Sequence, residues 1–315
     1  MIAACYGYVS MRFGMAAVVL AGVAALATAG CSPATMGMNR MAAALSDTAA
    51  AYAKDDDLEF VRTGAPATLK MVEMMLDTQP AHAGLLMTAC SGFAQYAYAF
   101  LHVDSEILAV ANAREAAVLR DRAIRMYRRA RGYCQRELGT RHATLRAALE
   151  KEPARAAALL DRTAKADVPA LFWTAAAWAG ELALVDNQLF RIGEVPVVRA
   201  LLTRALALDE AWGEGTLHEA MIALEGLPVI AGGSPARARG HFERAVALSE
   251  GNSAFAYVTL ASSVAAPARD RAEFNRVLKQ ALAIDLNRKP WLRLANMVAQ
   301  KRARFLLAEA ERLLR

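Results

Sequence analysis

The chain has 315 residues, 56% apolar and 22% charged; that is enough for a large core and excludes disorder of the body. The formal net charge of +6 is modest for this length, and basic residues alternate with Asp and Glu, so no nucleic-acid groove is indicated. Alanine and arginine are abundant and lysine is sparse, a mix of good helix formers.

Residues 13–30 carry no charged side chain. Arg12 gives the positive start, the apolar run the middle, and Thr28-Ala29-Gly30 the small residues before a cut, the layout of a secretory leader. Cys31 follows at once, and the segment resembles bacterial lipoprotein signals, whose cysteine thiol is acylated and becomes the new N-terminus. Thr28 stands where leucine is commonest in such signals. Glycines and alanines make the run weakly hydrophobic for a permanent span. Met11-Arg12 is a better start for the leader than Met1. Residues 1–30 are therefore read as signal peptide and 31–54 as lipidated tether and first helix. Ser32-Pro33 after the cysteine offers no Asp retention signal, which points to the outer membrane, facing the periplasm.

From residue 55 to 315 apolar residues recur at three and four positions, the helical period, and no strand pattern appears. Gly64-Ala65-Pro66, Pro80, Pro153, Pro169, Pro196, the stretch from Leu227 to Pro235, Pro267 and Pro290 are read as breaks between helices. Cys5 lies in or before the leader, which leaves Cys90 and Cys134. If helices of about 81–103 and 109–138 form a hairpin, the two cysteines lie at heights differing by roughly 18 Å. That exceeds a disulfide's reach, so two buried free thiols are expected. The basic cluster Arg120, Arg122, Arg125, Arg128, Arg129 and Arg131 is read as the solvated face of a long helix.

A small–bulky–small pattern at four and three residues, as in tetratricopeptide repeats, recurs at Ala123/Tyr127/Ala130 and Ala238/Phe242/Ala245. Val198/Leu202/Ala205, Phe274/Leu278/Ala281 and Thr68/Val72/Met75 follow it more loosely. One helical hairpin cannot bury its apolar face alone, so neighbours stack. The expected fold is all-α: stacked antiparallel hairpins in a compact, closed array.

Candidate binding residues are Trp173, Trp178, Trp212, His218 and Asn296. The tryptophans suit either core or pocket walls. His218 and Glu219 are adjacent and point apart, so they form no acid/base pair alone. Asn296, inside the helical run Leu292–Phe305, is expected to bond a neighbouring turn rather than a ligand. The five histidines show no metal spacing, and no nucleophile–base set or phosphate loop appears, so no enzyme, metal or cofactor is expected.

Several segments together resemble the T-component lipoproteins of TRAP transporters over about residues 55–312: Ala97-Tyr98-Ala99-Phe100-Leu101, Trp173 to Trp178, Gly215 to Glu219, Gly232-Gly233-Ser234 with His241 to Ala245, and Arg293 to Ala303. The resemblance implies cryptic tetratricopeptide hairpins, a trimeric assembly with a cavity in each subunit, and a small hydrophobic ligand. It also implies association with the periplasmic solute-binding subunit of an ion-driven uptake system. The alternative is a general scaffold lipoprotein of envelope assembly.

Overall fold

The computed structural model describes Gly37, Arg40, Ala44 and residues 51–185 and 188–315. The chain divides into two units, Met1–Ala44 and Leu45–Arg315. In the first, Gly37, Arg40 and Ala44 are helical. The leader, the Met11 start, Cys31 and most of the tether lie outside the described residues.

The second unit contains α1 (Leu58–Thr78) and α2 (Ala83–Tyr96), which runs through a π-helical segment (Ala97–His102) into α3 (Val103–Leu108). Then come α4 (Ala113–Gly139), α5 (Ala143–Lys151), α6 (Pro153–Ala156), α7 (Val168–Leu184), α8 (Val195–Leu208) and α9 (Thr216–Glu225). The last are α10 (Pro235–Leu248), α11 (Ala254–Leu260), α12 (Arg271–Leu282), α13 (Arg293–Ala308) and α14 (Ala310–Leu313). Among the described residues there is no strand, and no helix is long and apolar enough to cross a membrane.

Local chemistry sets the helix starts. Asp57 caps α1 by accepting from the backbone N–H groups of Glu59 and Phe60, and Asn112, Ser234 and Asp270 cap α4, α10 and α12 in the same way. Pro153, Pro169, Pro196 and Pro235 stand in the first turn of α6, α7, α8 and α10, where the missing N–H costs nothing. Pro66 departs from the expectation of a break. It lies inside α1, which continues through it. The residue is exposed, so its ring needs no space in the core, and buried Val61, Leu69 and Val72 on either side hold the helix against its neighbours.

Ala123, Tyr127 and Ala130 are buried, as are the triplets at 198, 202, 205 and at 274, 278, 281. These faces interlock: α2 packs on α1 and α4, α4 on α7, α7 on α8, α9 on α10, and α12 on α11 and α13. Gly180 lets α7 approach α4, because a Cβ there would lie 2.5 Å from the Tyr127 ring. The buried residues form one cluster from Leu138 to Leu224 and another from Ile222 to Leu314.

The stack closes on itself, since α13 returns to α1 and α3. Arg302 donates to both carboxylate oxygens of Glu106, at 2.7 and 3.1 Å. Lys301 pairs with Asp104 at 2.7 Å, and Arg62 of α1 reaches the other Asp104 oxygen at 2.6 Å.

The two free thiols expected from the sequence are overturned. Cys90 and Cys134 form a disulfide with a Cα–Cα distance of 4.8 Å. The expected hairpin ended its first arm near residue 103 and began its second near 109. Ser105 instead bonds the His102 carbonyl, Asp104 and Glu106 serve the clasp, and the helix runs to Leu108. That moves the turn to residues 109–112 and brings the two cysteines level.

Thiol titration of the denatured, unreduced protein is expected to find neither Cys90 nor Cys134 free. Reduction should lower the unfolding free energy by about 2–4 kcal/mol, measured by denaturant titration; two reactive thiols before reduction would refute the bridge. Arg302→Met should cost about 2–3 kcal/mol in the same assay. This is below the cost for a fully enclosed pair because Glu106 keeps 29% of its side chain accessible. Adding Glu106→Gln should recover part of the loss.

Candidate functional site

The interior side of the clasp is polar. Tyr98 and His102 sit on the π-helical segment, whose wider turn carries both rings toward α4 and α13. The His102 Nδ1 bonds the Tyr127 hydroxyl at 3.1 Å, and the two rings meet edge to face. Burial, reinforced by the Arg302 charge, lowers the His102 pKa to about 4, so the ring is neutral near pH 7. Burial opposes the Arg302 charge, but Tyr98 and Glu106 hold it and the guanidinium pKa is raised. The Tyr98 hydroxyl is buried beside the Arg302 guanidinium without a well-formed hydrogen bond to it, and its ring packs on Phe255 at 5.3 Å.

Phe255 lies in the first turn of α11, and the turn that leads into that helix, Asn252–Ala254, is held by Asn296 of α13. The Asn296 side chain accepts from the Ala254 N–H and donates to the Asn252 carbonyl, both at 2.9 Å. It therefore bonds a neighbouring turn, as its position in the sequence suggested. Between those two residues, Ser253 donates to Glu219 of α9. No cation pairs with Glu219 among the described residues. Burial raises its pKa to about 7, against the smaller pull of the serine hydroxyl.

Trp173 and Trp212 come together around Phe172, with centroid distances of 4.8 and 5.0 Å. Both are half-buried. Trp178 stands apart from them. It is 2% exposed, donates from Nε1 to Glu194 at 2.6 Å, and lies under the Arg131 guanidinium at 4.5 Å. Arg131, Arg128 and Arg191 converge on the buried carboxylate of Glu181. The arginine cluster is thus only partly a solvated face, because Arg131 turns inward.

His218 and Glu219 do point apart. His218 Nε2 bonds Glu210 at 3.1 Å, and its Nδ1 meets His241 Nδ1 at 2.8 Å. One N–H lies between the two Nδ1 atoms, so this contact requires at least one unprotonated ring. Burial lowers both histidine pKa values, and the Arg244 fork holds Glu210 down to about 2. Among the described residues no three potential ligands gather for a metal ion.

The structure therefore joins Trp173 with Trp212, links Asn296 to Glu219 through the Ser253 turn, and leaves Trp178 in its own arginine cage. Sequence reasoning missed Tyr98, His102, Glu106 and Arg302. Their signal was weak: isolated polar residues inside otherwise apolar helical segments.

Glu219 gives a pH prediction with a definite sign. Its folded pKa lies above the usual 4.5, so its contribution to stability is full below pH 4.5 and is lost as pH rises through about 7. Glu219→Gln keeps the acceptor for Ser253 and removes the ionisation. The variant should match the parent at pH 4.5 and exceed it by roughly 3 kcal/mol at pH 9. Thermal melts showing the same difference at both pH values would refute this.

Two comparisons bear on what such a domain serves. An uncharacterised protein of Treponema pallidum (strain Nichols) is 26% identical over 268 residues, covering 84% of this chain and 83% of its own. The family model of the TRAP transporter T-component (TAtT) matches residues 54–314. The chain thus belongs to the TRAP transporter T-component family, an accessory component of transport and not an enzyme family.

Proposed function

We propose that this protein is a lipid-anchored accessory subunit of a TRAP-type solute uptake system. Its mature chain begins at an acylated Cys31, uses residues 31–54 as tether and first helix, and presents residues 55–315 to the periplasm from the outer membrane. The domain docks the extracytoplasmic solute-binding subunit. Its interior takes a small, largely apolar molecule with one polar end, and the subunits assemble as trimers. The hairpins are read as divergent tetratricopeptide units.

The observation that carries this reading is the closed array with Tyr98 facing inward. Its buried hydroxyl lies beside Arg302 without a well-formed hydrogen bond to it, and Phe255 supplies an apolar wall beside it. A buried hydroxyl left unbonded costs about 1–3 kcal/mol, and a ligand oxygen would remove that cost. Trp173 and Trp212 around Phe172 offer a second, half-open aromatic surface.

The test is co-purification. Affinity-tagged mature protein, solubilised from its own membranes, should recover a solute-binding subunit, and native mass spectrometry should show a bound small molecule. Tyr98→Phe should reduce small-molecule occupancy and leave subunit recovery intact. Repeated recovery of wall-synthesis or outer-membrane assembly proteins, with no solute-binding subunit, would replace the proposal by the scaffold reading.

A further inference from the structure

Helix α4 has two faces. Ala123, Tyr127, Ala130 and Cys134 are buried on one. Arg122, Arg125, Arg129 and Arg136 follow each other at three, four and seven residues, which places them within about 60° of one another on the opposite face. The row spans roughly 21 Å, at about 1.5 Å per residue. Arg122 and Arg125 are exposed and make no ion pair or hydrogen bond among the described residues. Exposed arginines at helical spacing usually face only water, but two features set this row apart.

The first is a groove of about 260 Å³ where the row passes Gly132. Arg128, Arg129, Arg136 and Arg146 surround it, with Tyr133 and the Glu150 carboxylate in its wall. A Cβ on Gly132 would meet nothing within 4 Å, so the helix backbone is open to an incoming group. The second is that several guanidinium groups are held in place. Arg129 reaches Glu73 at 2.5 Å and lies over the Phe93 ring at 5.0 Å. Arg136 donates to the Pro80 carbonyl at 2.8 Å and lies over Tyr133 at 5.3 Å. Arg146 is bonded to Glu150 at 2.8 Å.

We propose that this arginine row and its groove are a docking surface for an acidic segment of the solute-binding subunit, with one Asp or Glu side chain entering the groove at Gly132. Three arguments favour a protein over an anionic lipid surface. Fixed guanidinium forks match the planar, bidentate geometry of carboxylates. A recess suits a single side chain, whereas a lipid surface needs none. Val118, 57% exposed, is the one large apolar side chain on the same face among the described residues, too little for insertion. The uncompensated charge lies at Arg122 and Arg125, so the acidic segment should extend from the groove toward the N-terminal half of α4.

The proposal rests on the docking reading above, and the two are separable by experiment. Mature protein, Arg122→Glu/Arg125→Glu and the control Lys279→Glu on exposed α12 are titrated with the purified solute-binding subunit, a fluorescent octaglutamate peptide and phosphatidylglycerol vesicles. Circular dichroism should show all three folded, since neither arginine has an internal partner to lose. The double variant is expected to weaken subunit and peptide binding about tenfold or more and to flatten the salt dependence. Lys279→Glu should change neither more than about twofold. If parent and double variant bind the subunit equally well, the row is not the docking surface, although the docking reading stands. If the subunit never binds but peptide binding is lost in the double variant, the docking reading fails and the acidic-segment surface stands. Vesicle binding lost in the double variant, without peptide binding, would overturn the proposal in favour of a lipid surface.

Discussion

Arg302 and Glu106 are separated by 196 residues, and their two-pronged contact joins the last long helix to the first hairpin. A stack of helical hairpins otherwise has two open ends, each leaving an apolar face in water. Here α13 covers the end begun by α1 and α3. Lys301, Asp104 and Arg62 extend the same clasp, with Asp104 shared by two cations from opposite ends of the chain. Leu306 and Ala303 lie on the buried side of α13 and supply the apolar contact beside it. Closure is thus set by charge registry along one helix turn and by ordinary burial next to it.

Buried ion pairs seldom add much net stability, because desolvation offsets the attraction. Their consequence here is geometric. Burial lowers the His102 pKa, the Arg302 cation held by Glu106 adds to the effect, and that ring stays neutral to bond Tyr127. Glu219 has no such cation, and its carboxyl is shifted the other way. The interior therefore carries one fixed charge pair, Arg302–Glu106, and one carboxyl, Glu219, that is about half protonated near pH 7.

Much of the body was legible in the sequence, and the failures have definite causes. The triplets at 123, 198 and 274 lie on buried faces because their spacing is the period of the helix itself. Asn296 was readable because an amide inside an apolar helical run has few ways to be satisfied except at a neighbouring backbone. The Cys90–Cys134 bridge was missed because the first arm was ended near residue 103, while contacts of Asp104 with Lys301, almost 200 residues away, accompany a helix that runs on to Leu108. Trp178 suited either the core or a pocket wall on sequence alone. Its setting comes from Arg131 on another helix, and Glu194 comes from beyond the end of α7. Pairings across the fold leave no local period, so the clasp and the cages could be described only after the chain was folded.

The same reasoning explains why α4 is suited to present a surface. It is the longest described helix, at 27 residues. Its inner face is fixed at three heights: by Tyr127 against Gly180 and His102, by the Cys90–Cys134 bridge, and by buried Leu138 near its end. A helix so pinned cannot roll or slide without breaking contacts on its buried side. The outer arginines therefore start from a rigid base, and Glu73 and Pro80 already orient two of them, Arg129 and Arg136. At Arg129 and Arg136 binding by an acidic segment would order few additional rotamers, and ordering is a main cost of association; the exposed Arg122 and Arg125 would still have to be ordered. The side of α4 that builds the core thus sets how firmly its opposite side can hold a partner.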